Sequence, residues 1–111
     1  MDKLDNYRQI IEKTLTEYAA IPYAHYNIEP KLIISKNSND YVLLAIGWEQ
    51  DVRVHACVVH IEIIDNKIWI QRDGTEDGIA ADLLDAGIPK SDMVLAFHLP
   101  EIRQHSGFAV C

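Results

Sequence analysis

The chain has 111 residues, 49% of them hydrophobic, with 17 acidic against 10 basic side chains and a formal net charge of -7. That size suits a single domain, residues 1–111, with one core that buries roughly two-thirds of the unfolded surface without disulfide or metal staples. The carboxylate excess argues against direct nucleic-acid contact, because affinity for a phosphate backbone comes from Lys and Arg displacing counterions.

No apolar run approaches the roughly 18 residues that span a bilayer, and Met1-Asp2-Lys3-Leu4-Asp5 lacks the basic-then-apolar plan of a secretory signal. A soluble, cytoplasmic protein with no membrane association is therefore expected. Cys57 and Cys111 have no framework spacing and are expected to be reduced.

In chain order, Leu4, Tyr7, Ile10, Ile11, Leu15 and Tyr18 recur on one face of a helix expected from about Lys3 to Ala20. Pro22 ends it, and Tyr23 to Asn27 reads as a loop. A strand is expected from about Glu29 to Ser35, a turn over Lys36 to Asp40, and a second strand from Tyr41 to Trp48. The second strand is apolar on both faces, which suggests a doubly covered position with Trp48 in the core beside Val42, Leu44 and Ile46. Val52 to Ile64 is a long third strand whose polar positions change parity, from Arg53 and His55 to His60 and Glu62. A one-residue bulge between Ala56 and Val59 would restore one buried face, and strand bending is the alternative. Asp65-Asn66 makes a tight hairpin into a fourth strand, Lys67 to Arg72.

The stretch Ile68 to Pro89 then encodes a strand, a sharp turn at Asp73-Gly74 and a helix expected from about Thr75 to Ala86. Asp73 is a good N-cap with Glu76 three positions later, and Thr75 is the alternative cap. Ile79, Ala80, Leu83 and Leu84 form the apolar stripe, with Asp82 and Asp85 pointing away. Gly87 can take the left-handed conformation, Ile88 can fold back over Leu83 or Leu84, and Pro89 forbids continuation. Asp92 to His98 reads as a short fifth strand, Pro100 opens one helical turn, and Phe108-Ala109-Val110 can dock on the sheet edge. The pattern predicts an α+β fold: an antiparallel meander of about five strands, an N-terminal helix and a second helix after the fourth strand.

No catalytic or cofactor-binding constellation emerges. His55-x-Cys57-x-x-His60 is the tightest group of potential metal ligands, but in a regular strand His60 faces away from the other two, so no metal site is expected. Gly74-Thr75-Glu76-Asp77-Gly78 carries carboxylates where a phosphate loop places Lys. Asp51 with Asp65-x-Lys67 loosely matches a metal-dependent nuclease, although Asp, Asn and Lys at a hairpin need no functional explanation.

The opening D-x-Y-R-Q-I-I helix from Asp5 to Ile11, Gly47-Trp48, Val58-Val59-His60-Ile61, Ile68 to Gly78, Gly87-Ile88-Pro89-Lys90, Val94-Leu95-Ala96-Phe97-His98, Arg103 and Gly107-Phe108-Ala109-Val110 follow one another along nearly the whole chain. In this order and spacing they resemble the XisI family, the fdxN element excision controlling factors, a small cyanobacterial family. The resemblance implies a non-enzymatic accessory protein that controls site-specific excision of a DNA element, acting with a recombinase and a XisH-like companion. It carries over no catalytic residues. The alternatives are a metal-dependent nuclease and a direct DNA-binding accessory factor.

Two surfaces are candidates for partner binding. If Ile68 and Ile70 face the core together with Arg72, then Lys67, Trp69 and Gln71 face outward, where a large aromatic suits a partner contact. Cover by a helix or by a second copy of the chain, in a homo-oligomer, is the alternative fate of Trp69. Glu76 and Asp77, ahead of the apolar stripe, are expected to make a negative patch that either complements the helix dipole or also receives a basic partner surface.

Overall fold

Asp2 caps the first helix, α1 (Lys3–Ala19), by accepting a hydrogen bond from the Asp5 amide at 2.9 Å. The structure, a computed structural model, describes residues 2–21, 27–75 and 78–111. In α1, Tyr7, Ile11, Thr14 and Leu15 are buried at helical spacing and lie on a five-stranded sheet. The strands are β1 (Asn27–Ile34), β2 (Asp40–Glu49), β3 (Val52–Ile64), β4 (Lys67–Asp73) and β5 (Met93–Leu95), and they neighbour one another in chain order. Of the loop expected from Tyr23 to Asn27, Tyr23 to Tyr26 lie outside the described residues, and Asn27 is the first residue of β1.

The sheet is mixed, which corrects the expectation of an antiparallel meander. β1 to β4 are antiparallel, but β5 runs parallel to β4. The cause is the intervening helix α2 (Ile79–Asp85), which carries the chain back along the sheet, so the next strand sets out in the direction of the last.

Two bulges decide which side chains share a face. On β3, Leu43 pairs with Val59 while Leu44 pairs with Cys57, so Val58 is the extra residue, within the range the polar pattern indicated. On β4, Ile61 pairs with Ile70 while His60 pairs with Arg72, so Gln71 is extra. This second bulge corrects the placement of Arg72. Arg72 lies on the face of His60, opposite Ile70, and Asp73 opposes the buried Val59. The Gly74 amide donates to the Val58 carbonyl at 2.7 Å, and a Cβ on Gly74 would stand 2.9 Å from that oxygen, so the two irregularities meet at a position fit for glycine.

The inner face presents Tyr41, Leu43, Val59, Ile61, Ile68 and Ile70 to α1 and to Ile79 and Leu83 of α2, making one hydrophobic cluster. Each fully buried aliphatic side chain here contributes roughly 1.5–3 kcal/mol relative to exposure. Because α1 and α2 both pack on this face, β2 is covered on one side only among the described residues. Trp48 lies on the other side, 46% exposed with Arg53 stacked over its ring, and the expectation that it joins the core is corrected accordingly.

Helix α2 starts at Ile79, four residues later than expected, and Glu76 and Asp77, which were expected in its first turn, lie outside the described residues. Its N-cap position is Gly78, with φ 84°, and the cap itself is supplied from a distance: Asp73 Oδ2 accepts from the Ile79 amide at 2.7 Å while Oδ1 accepts from the Thr75 amide at 3.1 Å. The helix ends as its sequence dictates. Gly87 has φ 112°, the Ile88 amide donates to the Leu83 carbonyl at 3.0 Å, and Ile88 is fully buried. Asp65 and Asn66 both have positive φ, as a tight type I′ hairpin requires.

Strand β5 is shorter than expected and gives way to a turn at Ala96. Helix α3 (Pro100–Arg103) and the C-terminal segment then fold back, and Ala109 bridges to Val94 and donates to the Met93 carbonyl at 2.9 Å.

Candidate functional site

The outer face of the sheet is where strand alternation, uncovered by either long helix, leaves chemistry accessible. Following the register, it carries Lys31 and Ile33 on β1, Asp40, Val42, Leu44, Ile46 and Trp48 on β2, and Arg53, His55, Cys57, His60 and Glu62 on β3. On β4 it carries Lys67 and Trp69, opposite Ile64 and Glu62, and Arg72.

Its two ends differ. Toward β5, Trp69 is half-buried: the Arg103 guanidinium lies 5.6 Å from its ring centroid, while that guanidinium donates to the carbonyls of His98 and Ala96, both at 3.1 Å. The C-terminal turn thus covers Trp69 in part. Lys67 and Gln71 flank it, also half-buried, and the bulge at Gln71 takes that residue out of the pairing that would have aligned it with Trp69. Toward β1 the face is open, with Ile33 at 44% and Trp48 at 46% exposure.

Titratable groups cluster at the boundary between these ends. Asp40 sits directly opposite Glu62, and His60, two residues before Glu62 on the same face, brings its Nε2 within 3.4 Å of Glu62 Oε1. One ligand atom each from Asp40, His60 and Glu62 lies within 4.8 Å of the others. Sequence reading had grouped His60 with His55 and Cys57 instead. The Val58 bulge does put all three on one face, but the Cys57 thiol turns to the Val59 carbonyl at 3.6 Å. Asp40 was missed because it is remote in sequence, and only strand pairing makes it a neighbour.

The nuclease-like set does not assemble. Asp51 precedes β3 and Asp65 follows it, so a 13-residue strand separates them, on the order of 40 Å at about 3.3 Å per residue. They cannot share an ion.

On the inner side, Tyr7 donates a short hydrogen bond to Asp92, which also pairs with Lys3 at 3.1 Å. Burial, reinforced by the Asp92 carboxylate, pushes the Tyr7 hydroxyl up to about 12, while that hydroxyl and Lys3 hold Asp92 below its ordinary value against the opposing effect of desolvation. This ties α1 to the start of β5. An open groove of about 600 Å³ between α1 and α2 is lined by Lys13, Glu17, Tyr18, Asp82 and Asp85 among others, and there the Tyr18 hydroxyl donates to Asp82 at 2.7 Å. Asp82 therefore does not simply point to solvent.

These features define an α+β protein that presents one sheet face and holds the other under two helices, a fold shared with solved excision-factor structures. The chain belongs to the XisI protein family, which matches residues 1–110. A XisI-like protein from Anabaena variabilis is 34% identical with a TM-score of 0.89, the match covering 98% of this chain and 100% of that one. The fdxN element excision controlling factor XisI from Anabaena variabilis is 33% identical with a TM-score of 0.82, covering 99% and 100%. No curated protein matches the chain significantly. Among the described residues, no helix is long and apolar enough to cross a membrane.

Proposed function

We propose that this protein is a non-enzymatic regulatory factor of the cytoplasm that governs site-specific excision of a DNA element by contacting another protein, a XisH-like companion or the recombinase. Membership in the XisI family, with an excision controlling factor among its structural neighbours, supplies the recombination context.

The observation that carries contact with protein over contact with DNA is the engagement within the fold of six of the ten basic side chains. Lys3 pairs with Asp92, Arg8 with Asp5, and Arg72 donates to the Cys57 carbonyl. Arg53, Lys90 and Arg103 lie over Trp48, Phe108 and Trp69. A net charge of -7 further opposes approach to a phosphate backbone. The docking surface is the outer sheet face around Trp69, Lys67 and Gln71, extended by the exposed Trp48, with Glu76 and Asp77 supplying a negative patch that steers a basic partner.

The test is co-purification from the native host with a tagged chain. Recovery of a XisH-like protein or a recombinase supports the reading. Tight, salt-dependent DNA binding with no protein partner overturns it.

A further inference from the structure

We propose that Asp40, His60 and Glu62 form a binding site for a divalent transition-metal ion on the open face of the sheet. The site goes beyond the partner-binding reading and does not depend on it.

The three groups are converged by rigid backbone. Asp40 and Glu62 are direct cross-strand partners on β2 and β3, and His60 shares their face. The position of Asp40 is fixed by a clasp at the preceding turn: its amide donates to Ser35 Oγ at 3.0 Å, and the Ser35 amide donates to its carbonyl at 2.9 Å. On the other side of the pair, the Ile63 amide donates to the Asn39 carbonyl at 2.8 Å. The ligand atoms already lie within 4.8 Å of one another. An ion bonded at about 2.0–2.2 Å in tetrahedral geometry needs them about 3.3–3.6 Å apart, a closing that side-chain torsions must supply.

Electrostatics gives an independent reason. Like charges directly opposite on antiparallel strands destabilise the sheet, yet Asp40 and Glu62 occupy such a pair in a chain that is already strongly acidic. Among the described residues, the sole ion pair made by any of the three is His60 with Glu62. Lys36 shares a shallow hollow with Asp40 but makes no ion pair with it. All three side chains are half-buried, and Val42 and Trp69, opposite His60 and Glu62, flank the cluster with apolar surface that limits screening by water. A bound cation offsets the repulsion.

One imidazole and two carboxylates favour ions such as Zn²⁺ over Mg²⁺ or Ca²⁺, which prefer oxygen alone. Three protein ligands on an open face leave a coordination position toward solvent, available to water or to a side chain of a docked protein.

Calorimetric titration of the full chain with Zn²⁺, in a buffer that does not coordinate metal, tests the site. Saturable binding is expected, and Asp40→Asn, Glu62→Gln and His60→Asn should each weaken it by at least about tenfold, the lower end of what disturbing even a ligand's hydrogen-bond partner costs. Cys111→Ser and His55→Asn should leave it unchanged. Melting without metal separates a ligand from a structural group: Asp40→Asn relieves the like-charge pair, so the metal-free variant should melt at or above the parent temperature while losing the rise that Zn²⁺ gives the parent. No saturable binding, or binding unaltered by Asp40→Asn and Glu62→Gln, overturns the proposal. Loss of binding in Cys111→Ser alone overturns it equally.

Discussion

The carboxylate of Asp73 caps a helix that begins six positions further on, accepting from the amide of Ile79 at 2.7 Å. It reaches there because the Gln71 bulge turns Asp73 onto the helix-covered face, opposite Val59. Asp73→Ala strands the amides of Ile79 and Thr75 and should lower stability by about 1–2 kcal/mol in urea denaturation, with Asp73→Asn costing less. Equal losses for the two would mean that the charge, and not the hydrogen bonds, holds the turn.

Leu83 is fully buried in the core cluster. Leu83→Ala should cost about 2–5 kcal/mol. Asp82→Ala, one residue earlier, should cost about 0.5–1.5 kcal/mol, the worth of its hydrogen bond from Tyr18. A double-mutant cycle with Tyr18→Phe should be non-additive, the second change costing less once the first is made. Strict additivity in thermal melts would show that the bond does not contribute in solution.

The Tyr7–Asp92 pair predicts stability losses at both ends of the pH scale. Asp92 titrates below its ordinary 3.8 when folded, so its contribution is present above that value and lost as pH falls through the folded one. Tyr7 is raised from 10.0 to about 12, so its contribution is complete below pH 10 and lost as pH rises toward 12. Tyr7→Phe should flatten the dependence of the urea midpoint on pH in both windows. A profile unchanged by the substitution would show that neither titration is linked to folding.

The two tryptophans should behave oppositely. Trp48→Ala removes an exposed ring and should change stability by no more than about 0.5 kcal/mol while reducing partner capture. Trp69→Ala removes the surface on which Arg103 and the C-terminal turn rest, and should lower the melting temperature as well. Unchanged capture by both variants would remove this face from the docking surface.

Replacing Glu76 and Asp77 together with Gln and Asn should slow association with the partner and flatten its salt dependence, with only a modest effect on stability. If rate and salt slope are unaltered in stopped-flow mixing, the pair serves the helix dipole alone.

The sequence by itself determined the elements whose signals are local. Helix α1, the start and end of β3, the Asp65-Asn66 hairpin, the Gly87 stop and the short helical turn at Pro100 all follow from periodicity, positive-φ residues and proline, which act over a few residues. The bulge near Val58 was legible for the same reason, since a parity change in polar residues is a local pattern. Tertiary structure alone decided the rest. Whether an apolar strand is covered on one side or two depends on where the helices land, so Trp48 belongs to the open face despite its apolar neighbours on β2. The direction of β5 was set by the path of α2 across the sheet, and the start of α2 by a bulge on β4 that no residue pattern marks. The grouping of Asp40 with His60 and Glu62 has the same origin: strand pairing joins residues far apart in the chain, and proximity of that kind is fixed by register.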